Sequence, residues 1–292
     1  MIPRGLISYN DEMNWFLFGC INVLAIAISS LYQKLAMNDK DSDPITSAAI
    51  FEFILGILSG IISLIVGFHA PAIHLWPYVL ISGALYGLGG VSYFQAIKRI
   101  EASELTVISG AGIFVTLIIS YIFLAERLTS IQLIGAILIV LGTLVVTYKH
   151  TGFRFNKGIA LALLGSACYG VAVVFDGFVL RTYDAFSFVP VIAFMTGISI
   201  LVMYPKKIQT FGMSIQKINI NLIIYSVLYV IGATAFYFPI SQGVPVSQIS
   251  AFGRVAIILT VILAAIFLKE RSHIGKKILG AILTTIGIFL IR

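Results

Sequence analysis

An internal repeat constrains the fold of this chain more than any other feature. Residues 93–127 read YFQAIKRIEASELTVISGAGIFVTLIISYIFLAER, and residues 237–271 read YFPISQGVPVSQISAFGRVAIILTVILAAIFLKER. A constant offset of 144 residues aligns Tyr93 with Tyr237 and Glu126 with Glu270. After one inserted residue, GAIL at 135–138 meets GAIL at 280–283. The chain is therefore predicted to consist of two related halves, 1–148 and 149–292.

The composition predicts that lipid surrounds most of the chain. Hydrophobic residues make up 59% of it and charged residues only 11%, whereas soluble domains carry roughly 25% charged residues. Apolar runs of about 20 residues, long enough to cross a hydrocarbon core of ~30 Å, recur along its whole length. They lie at approximately 14–36, 44–68, 75–97, 101–123, 129–148, 157–181, 184–205, 218–243, 244–268 and 272–291.

Each run is predicted to be a helix, because backbone polar groups in lipid must be satisfied within the segment. Five helices per half is an odd number, so the second half enters the membrane in the opposite orientation. The sequence therefore predicts an all-α membrane protein with ten transmembrane helices, arranged as two inverted five-helix repeats.

The charged residues indicate topology. The formal net charge is +7, and most Lys and Arg residues lie in the loops that follow odd-numbered runs. By the positive-inside rule these loops face the cytoplasm, which places both termini outside. Since the basic residues sit at helix ends, we predict no nucleic-acid partner.

Catalytic and metal-binding signatures are missing from the sequence. The apolar runs contain no Ser–Lys or Asp–Asp pair, and His69 and His74 have no acidic or cysteine companions. The segment GLGG at 87–90 has no preceding strand and no P-loop lysine, so it does not predict a nucleotide site. We therefore predict a protein that is not an enzyme and needs neither a cofactor nor a metal.

Several segments resemble the EamA family of the drug/metabolite transporter superfamily. They are YQKLAM at 32–37, GALYGLGGVSYFQAIKRIEAS at 83–103, and LAERLT and LKERS, each followed by GAIL. The resemblance implies a ten-helix bundle whose central cavity is lined by helices 1, 3, 4, 6, 8 and 9 and which exports small metabolites by alternating access.

Two departures from the family pattern affect these expectations. Many members carry a proline in helices 4 and 9 where this chain has Ile113 and Ile257, so any bend must come from 110–112 or Gly253. Members also tend to have both termini in the cytoplasm, which conflicts with the charge distribution. The sequence leaves the orientation open.

Arg254 is the strongest candidate for a substrate-binding residue. It lies in the middle of the ninth run, where a cation costs at least ~2.5 kcal/mol to insert unless it faces a wet cavity or a partner. Its planar guanidinium suits a carboxylate or phosphate of the substrate; the alternative is a structural ion pair.

Asp176 is the candidate partner of Arg254, and could also bind a coupling proton or a substrate amine. Alternatively, Asp176 lies near a helix end, satisfied by Arg181 and water.

Aromatic residues at helical spacing supply the remaining site candidates. Such side chains combine apolar surface with hydroxyls that orient a ligand, although ordinary helix packing explains individual tyrosines equally well. The predicted substrate-binding set, besides Arg254 and Asp176, is Tyr86, Tyr93, Tyr169, Tyr229, Phe236 and Tyr237. Glu52 lies eight residues into the second run, but the resemblance places helix 2 at the periphery, so Glu52 is expected to lie off the pathway.

The resulting prediction is a secondary transporter, an exporter of an amino-acid-like or other anionic or zwitterionic solute, in the plasma (inner) membrane. Its partners are the small-molecule substrate and the lipid bilayer, with a coupling proton. Two alternatives stay open at this point: a flippase for a lipid-linked polar headgroup, and a sensor or scaffold that transports nothing. A polar central cavity favours the carrier, whereas a dry, packed centre favours the scaffold.

Overall fold

Helices dominate the architecture. The computed structural model describes residues 9–112, 114–116, 118–119, 129–149, 152–153, 156–180, 182–216, 218–241, 252–253 and 255–291. The helices are α1 (Tyr9–Asn38), α2 (Pro44–Val66), α3 (Trp76–Ile97), α4 (Ala102–Ser109), α5 (Ser130–Thr147), α6 (Lys157–Val179), α7 (Ala185–Met203), α8 (Ile208–Gln216), α9 (Ile220–Ser241), α10 (Val255–Phe267) and α11 (Ile274–Ile291). Between the two halves, strands β1 (Tyr148–Lys149) and β2 (Gly152–Phe153) form an antiparallel pair.

Within the described residues, six helices are long and apolar enough to cross a membrane. They are α1 from Trp15, α2, α3 with the 3₁₀ turn that precedes it, α6, α7 and α9 as far as Pro239. The apolar helices α5 and α10 are shorter within the described residues, as is the segment Ala102–Thr116 that contains α4. The chain is therefore a multi-pass membrane protein, while the count of ten spanning helices stays a prediction.

Local sequence explains where the long helices begin and end. Asp43 is the N-cap of α2 and accepts a hydrogen bond from the Thr46 amide, and Asp184 caps α7 through the Ser187 amide in the same way. At its other end α2 closes on Gly67, whose φ of 118° is accessible to glycine at little cost. Helix α4 ends at Ser109, and the backbone turns at Gly110 and Ala111, where the sequence predicted a bend in place of the proline.

The helices pair across the two halves. Helix α1 packs on α9 and α3 on α6, while α2 packs on α7, α4 on α10 and α5 on α11. In the repeat, α1 corresponds to α6 and α3 corresponds to α9, so the α1–α9 and α3–α6 pairs are equivalent to each other. In each of the other three pairs, the two helices that pack together are themselves repeat-related. Since these pairs join opposite halves, neither half buries its apolar surface by itself.

Glycines allow α3 and α6 to approach each other closely. A Cβ on Gly89 would lie 2.7 Å from Cδ2 of Tyr169, and one on Gly165 would lie 2.8 Å from Cδ1 of Tyr93. Gly83 and Gly87 contact α7 instead, at Met195 and at Ile200 and Met203. The close approach at Gly89 and Gly165 brings the aromatic rings of α3 and α6 together.

Contacts between loops define the two ends of the bundle. At one end Lys207 pairs with Asp43 (3.0 Å), Lys98 donates to the Ser42 carbonyl, and Lys277 pairs with Glu101. The loops that follow α1, α3, α7 and α10 thus lie together, and we call this the basic end. At the opposite end, which we call the histidine end, His69 Nε2 lies 3.1 Å from Asp184 Oδ2 and joins the loops after α2 and α6.

Candidate functional site

A polar cavity lies at the interface between the two halves. Its volume is about 170 Å³, comparable to the ~150 Å³ cavity that holds one benzene molecule. Four helices of the first half and two of the second contribute to its wall, α1, α2, α3, α4, α6 and α9. The cavity reaches Ile97, whose carbonyl accepts a hydrogen bond from Lys34 (2.6 Å), so it lies toward the basic end.

Three of the predicted tyrosines line this cavity. Tyr93 donates to Ser166 Oγ (3.1 Å), and its ring lies 5.0 Å from the ring of Tyr169. Tyr229 reaches the cavity from α9 and meets Phe51 edge-on at 5.1 Å. These three tyrosines were among the residues selected from helical spacing in the sequence. The close contact between α3 and α6 positions Tyr93 and Tyr169.

Glu52 also lines the cavity, contrary to the expectation that helix 2 lies at the periphery. It sits on α2, is only 6% exposed, and shares the cavity wall with Phe51 and Ala48. Helix α2 takes this position because it packs against both α7 and α9. Hydropathy did not indicate that Glu52 lines the cavity, because an apolar run does not show which face of its helix will border a cavity.

Asp176 lies in a hydrogen-bonded cluster next to the cavity. It is 4% exposed and accepts hydrogen bonds from Ser82 Oγ (2.6 Å) and from the Tyr86 hydroxyl, both on α3. The Tyr86 ring in turn lies 4.9 Å from that of Tyr169, which separates the cluster from the cavity. Asp176 lies in the last turn of α6, as the alternative expected, but its side chain is buried and its described partners come from α3. Arg181 lies outside the described residues.

Tyr237 and Phe236 lie outside the larger cavity. Tyr237 lines a second cavity of about 10 Å³, room for one water molecule, and Phe236 meets its ring edge-on at 5.1 Å. Arg254 lies outside the described residues. Its role as a substrate anchor therefore stays a prediction.

The two cavities occupy repeat-related positions. The larger one is lined by Gly90, Tyr93 and Phe94. At the offset of 144 residues these positions correspond to Thr234, Tyr237 and Phe238, which line the smaller one. The smaller cavity also meets the start of α7 at Ala185, beside Asp184 of the histidine end. Equivalent positions thus line a larger cavity toward the basic end and a much smaller one toward the histidine end.

Sequence reasoning left several lining residues outside the predicted site. Tyr225 stacks on Phe51 at 4.5 Å, and the polar residues Ser29, Ser30 and Gln33 of α1 complete the wall. The SSLYQ segment at 29–33 places three polar side chains inside an apolar run, a signal that could have identified them.

The ion pairs at the two ends are also repeat-related. Asp43 and Asp184 cap equivalent helices, and each faces a basic side chain of a loop from the other half, Lys207 and His69 respectively. Burial alone would raise the pKa of Asp43, but hydrogen bonds from Thr46 and the neighbouring Lys207 outweigh it and hold that pKa below its usual value. At the histidine end, burial raises the pKa of Tyr183 to about 12.

Known proteins resemble this chain in sequence and in structure. The model of the EamA-like transporter family matches residues 13–148 and again 156–292. An uncharacterized transporter of Archaeoglobus fulgidus is 26% identical over 70% of this chain and 75% of its own length. Solute carrier family 35 member F3 of Homo sapiens is 28% identical over 42% of this chain, and that of Mus musculus is 33% identical over 29%.

The match to the solute carriers is partial, since the aligned segments span 32% of the human protein and 20% of the mouse protein. A solved crystal structure shares the fold, with a TM-score of 0.60, 18% identity and coverage of 94% of both chains. The family match covers both halves, including the residues of the cavity between them. The chain therefore belongs to the EamA-like transporter family.

Proposed function

We propose that this chain is a secondary carrier that exports a small polar metabolite by alternating access, through the cavity between its two inverted halves. The solute is amino-acid-like or otherwise anionic or zwitterionic, and the membrane is the plasma (inner) membrane. The observation that carries the proposal is the pair of repeat-related cavities, about 170 Å³ and about 10 Å³ in volume. Two related halves that exchange conformations would close the first cavity and open the second.

The cavity supports a carrier over the two alternatives. A scaffold predicts a dry centre, whereas this one is lined by Ser29, Ser30, Gln33 and Glu52. A flippase must accommodate a lipid-linked headgroup, and a cavity near the size that holds benzene is too small for a bulky one. A small solute is the ligand that fits.

The position of the cavity supports export. It lies toward the basic end, which the positive-inside rule places in the cytoplasm. An exporter in this conformation takes up its solute from the cytoplasm. Asp176 is the proposed site for a coupling proton, because it is a buried carboxyl on the boundary between the two cavities.

Comparative metabolite profiling tests this function directly. Cells that express the chain should lose one small polar solute to the medium faster than cells without it, and proteoliposomes should transport the same solute. We expect the Arg254→Lys protein to insert and fold but to lose most transport. The lysine ammonium is a point charge and does not form the two parallel hydrogen bonds that a planar guanidinium forms with a carboxylate or phosphate. No solute that differs between the cells, together with normal insertion, would favour the scaffold.

The double variant Arg254→Ala with Asp176→Asn separates the two roles predicted for Arg254. Transport near the unmodified rate would show that the guanidinium does not anchor the solute. Folding without transport is the outcome expected for an anchor.

A further inference from the structure

The Glu52 carboxyl is a buried acid on the wall of the larger cavity. Of the residues that the structure describes, none donates a hydrogen bond to Glu52 or forms an ion pair with it. A carboxyl in this setting must be balanced by a proton or by a cation, because an isolated charge is costly to remove from water. The cavity that Glu52 lines has room for a cation.

Aromatic rings surround the same space. Six of them line the cavity together with Glu52, and we call them the aromatic cage: Phe51, Tyr93, Phe94, Tyr169, Tyr225 and Tyr229. Several are held against one another, with Phe51 and Tyr225 stacked at 4.5 Å and Phe94 edge-on to Tyr225 at 5.9 Å. Tyr169 and Tyr225 lie close enough to Glu52 to interact with it electrostatically.

A carboxylate within a set of aromatic rings is suited to an organic cation. The faces of aromatic rings attract cations within about 6 Å of the ring centre, and aromatic cages recognise quaternary ammonium groups. The described lining contains no Lys or Arg that would compete with such a ligand or attract an anion in its place.

We propose that this cavity binds the positively charged group of the solute, a protonated amine or a quaternary ammonium, with Glu52 as its counter-ion and the aromatic cage around it. The inference rests on the proposed function in that the bound cation is the cargo. It narrows that function, because a zwitterion or a simple cation carries the required group and a pure anion does not.

Binding of choline to the purified chain in detergent micelles tests the proposal without requiring transport. The neutral isostere 3,3-dimethylbutan-1-ol has nearly the same shape but no charge, so the pair isolates the charge on the unmodified protein. We expect choline to bind at least about 10-fold more tightly than the alcohol. Equal binding of the two, or binding of neither, would overturn the proposal.

Variants then test whether Glu52 is the group that binds the positive charge of choline. Glu52→Gln keeps the shape and should weaken choline binding by about 10- to 100-fold, while Glu52→Asp, which keeps the charge, should restore part of the affinity. Asp43→Asn is the matched control, since it removes a carboxylate from the start of the same helix and leaves a residue that can cap it. Unchanged choline binding in a folded Glu52→Gln protein would contradict the inference.

The outcomes separate this inference from the proposed function. Cation binding through Glu52 without transport of any solute would support the site and argue against the carrier. Transport of an anion that is unaffected by Glu52→Gln would support the carrier and overturn the cation site.

Discussion

At the scale of single residues, two buried carboxyls of this chain occupy different environments. Asp176 accepts hydrogen bonds from Ser82 and Tyr86, whereas Glu52 faces the cavity without a described donor. The first carboxyl is built into the packing of α3 against α6, and the second is left available to a ligand. Substitutions at the two sites should therefore affect different properties.

We expect Asp176→Ala to lower the free energy of unfolding by about 1–3 kcal/mol, because the buried hydroxyls of Ser82 and Tyr86 lose their acceptor. Asp176→Asn keeps one acceptor oxygen and should cost less. Chemical unfolding in mixed micelles measures both. An Asp176→Ala protein as stable as the unmodified chain would show that this cluster does not hold α3 against α6.

The candidate site was only partly predictable from the sequence. Tyr93, Tyr169 and Tyr229 followed from helical spacing within single runs, and the cavity wall contains all three. The partners of Asp176 could not be predicted, because Ser82 and Tyr86 are 94 and 90 residues away and no spacing rule relates such positions. Glu52 was misplaced because the face that α2 turns inward depends on its packing against α7 and α9.

At the scale of elements, the contact between α3 and α6 positions the cavity wall. Gly89 and Gly165 allow the two backbones to approach, which seats the rings of Tyr93 and Tyr169 beside each other. The sequence did not show that Gly83 and Gly87 would meet α7 while Gly89 met α6.

Two neighbouring glycines of α3 provide a matched test of this contact. Gly89→Ala would place a Cβ 2.7 Å from the Tyr169 ring, so we expect it to displace that ring, lower stability by about 1–3 kcal/mol and impair transport. In Gly90→Ala the nearest atom would be 3.7 Å away, an ordinary contact, and stability should be unchanged or raised by up to about 1 kcal/mol. Thermal unfolding in detergent measures the difference. Similar effects of the two changes would mean that the Tyr169 ring is free to move.

At the scale of the whole molecule, the ends of the bundle carry different charges. The basic end contains the loops with Lys98, Lys207 and Lys277, while the histidine end pairs His69 with Asp184. The sequence predicted that the loops near Lys206 and Lys276 lie on one side, and the chain of contacts through Asp43, Lys98 and Glu101 confirms it. Which side of the membrane that end faces stays a prediction.

Labelling of single cysteines tests that orientation. In a background in which Cys20 and Cys168 are replaced by Ser, a membrane-impermeant thiol reagent is applied to intact cells that carry Lys206→Cys, Arg271→Cys or His69→Cys. All three positions are exposed. By the positive-inside rule we expect labelling of His69→Cys alone. Labelling of the other two alone would reverse the orientation, and labelling of Lys206→Cys without Arg271→Cys would contradict the topology.

The pairing of helices across the halves has a consequence for biosynthesis. Asn22 of α1 donates its side-chain amide to the carbonyl of Gly232 on α9 (2.9 Å), and the two residues are 210 positions apart. At a synthesis rate of about 5–20 residues per second, α1 waits roughly 10–40 s for this partner. During that interval the amide of Asn22 lacks its native acceptor, and the inward faces of the first five-helix half remain uncovered. The half-made chain is therefore the form of this protein most exposed to membrane chaperones and proteases.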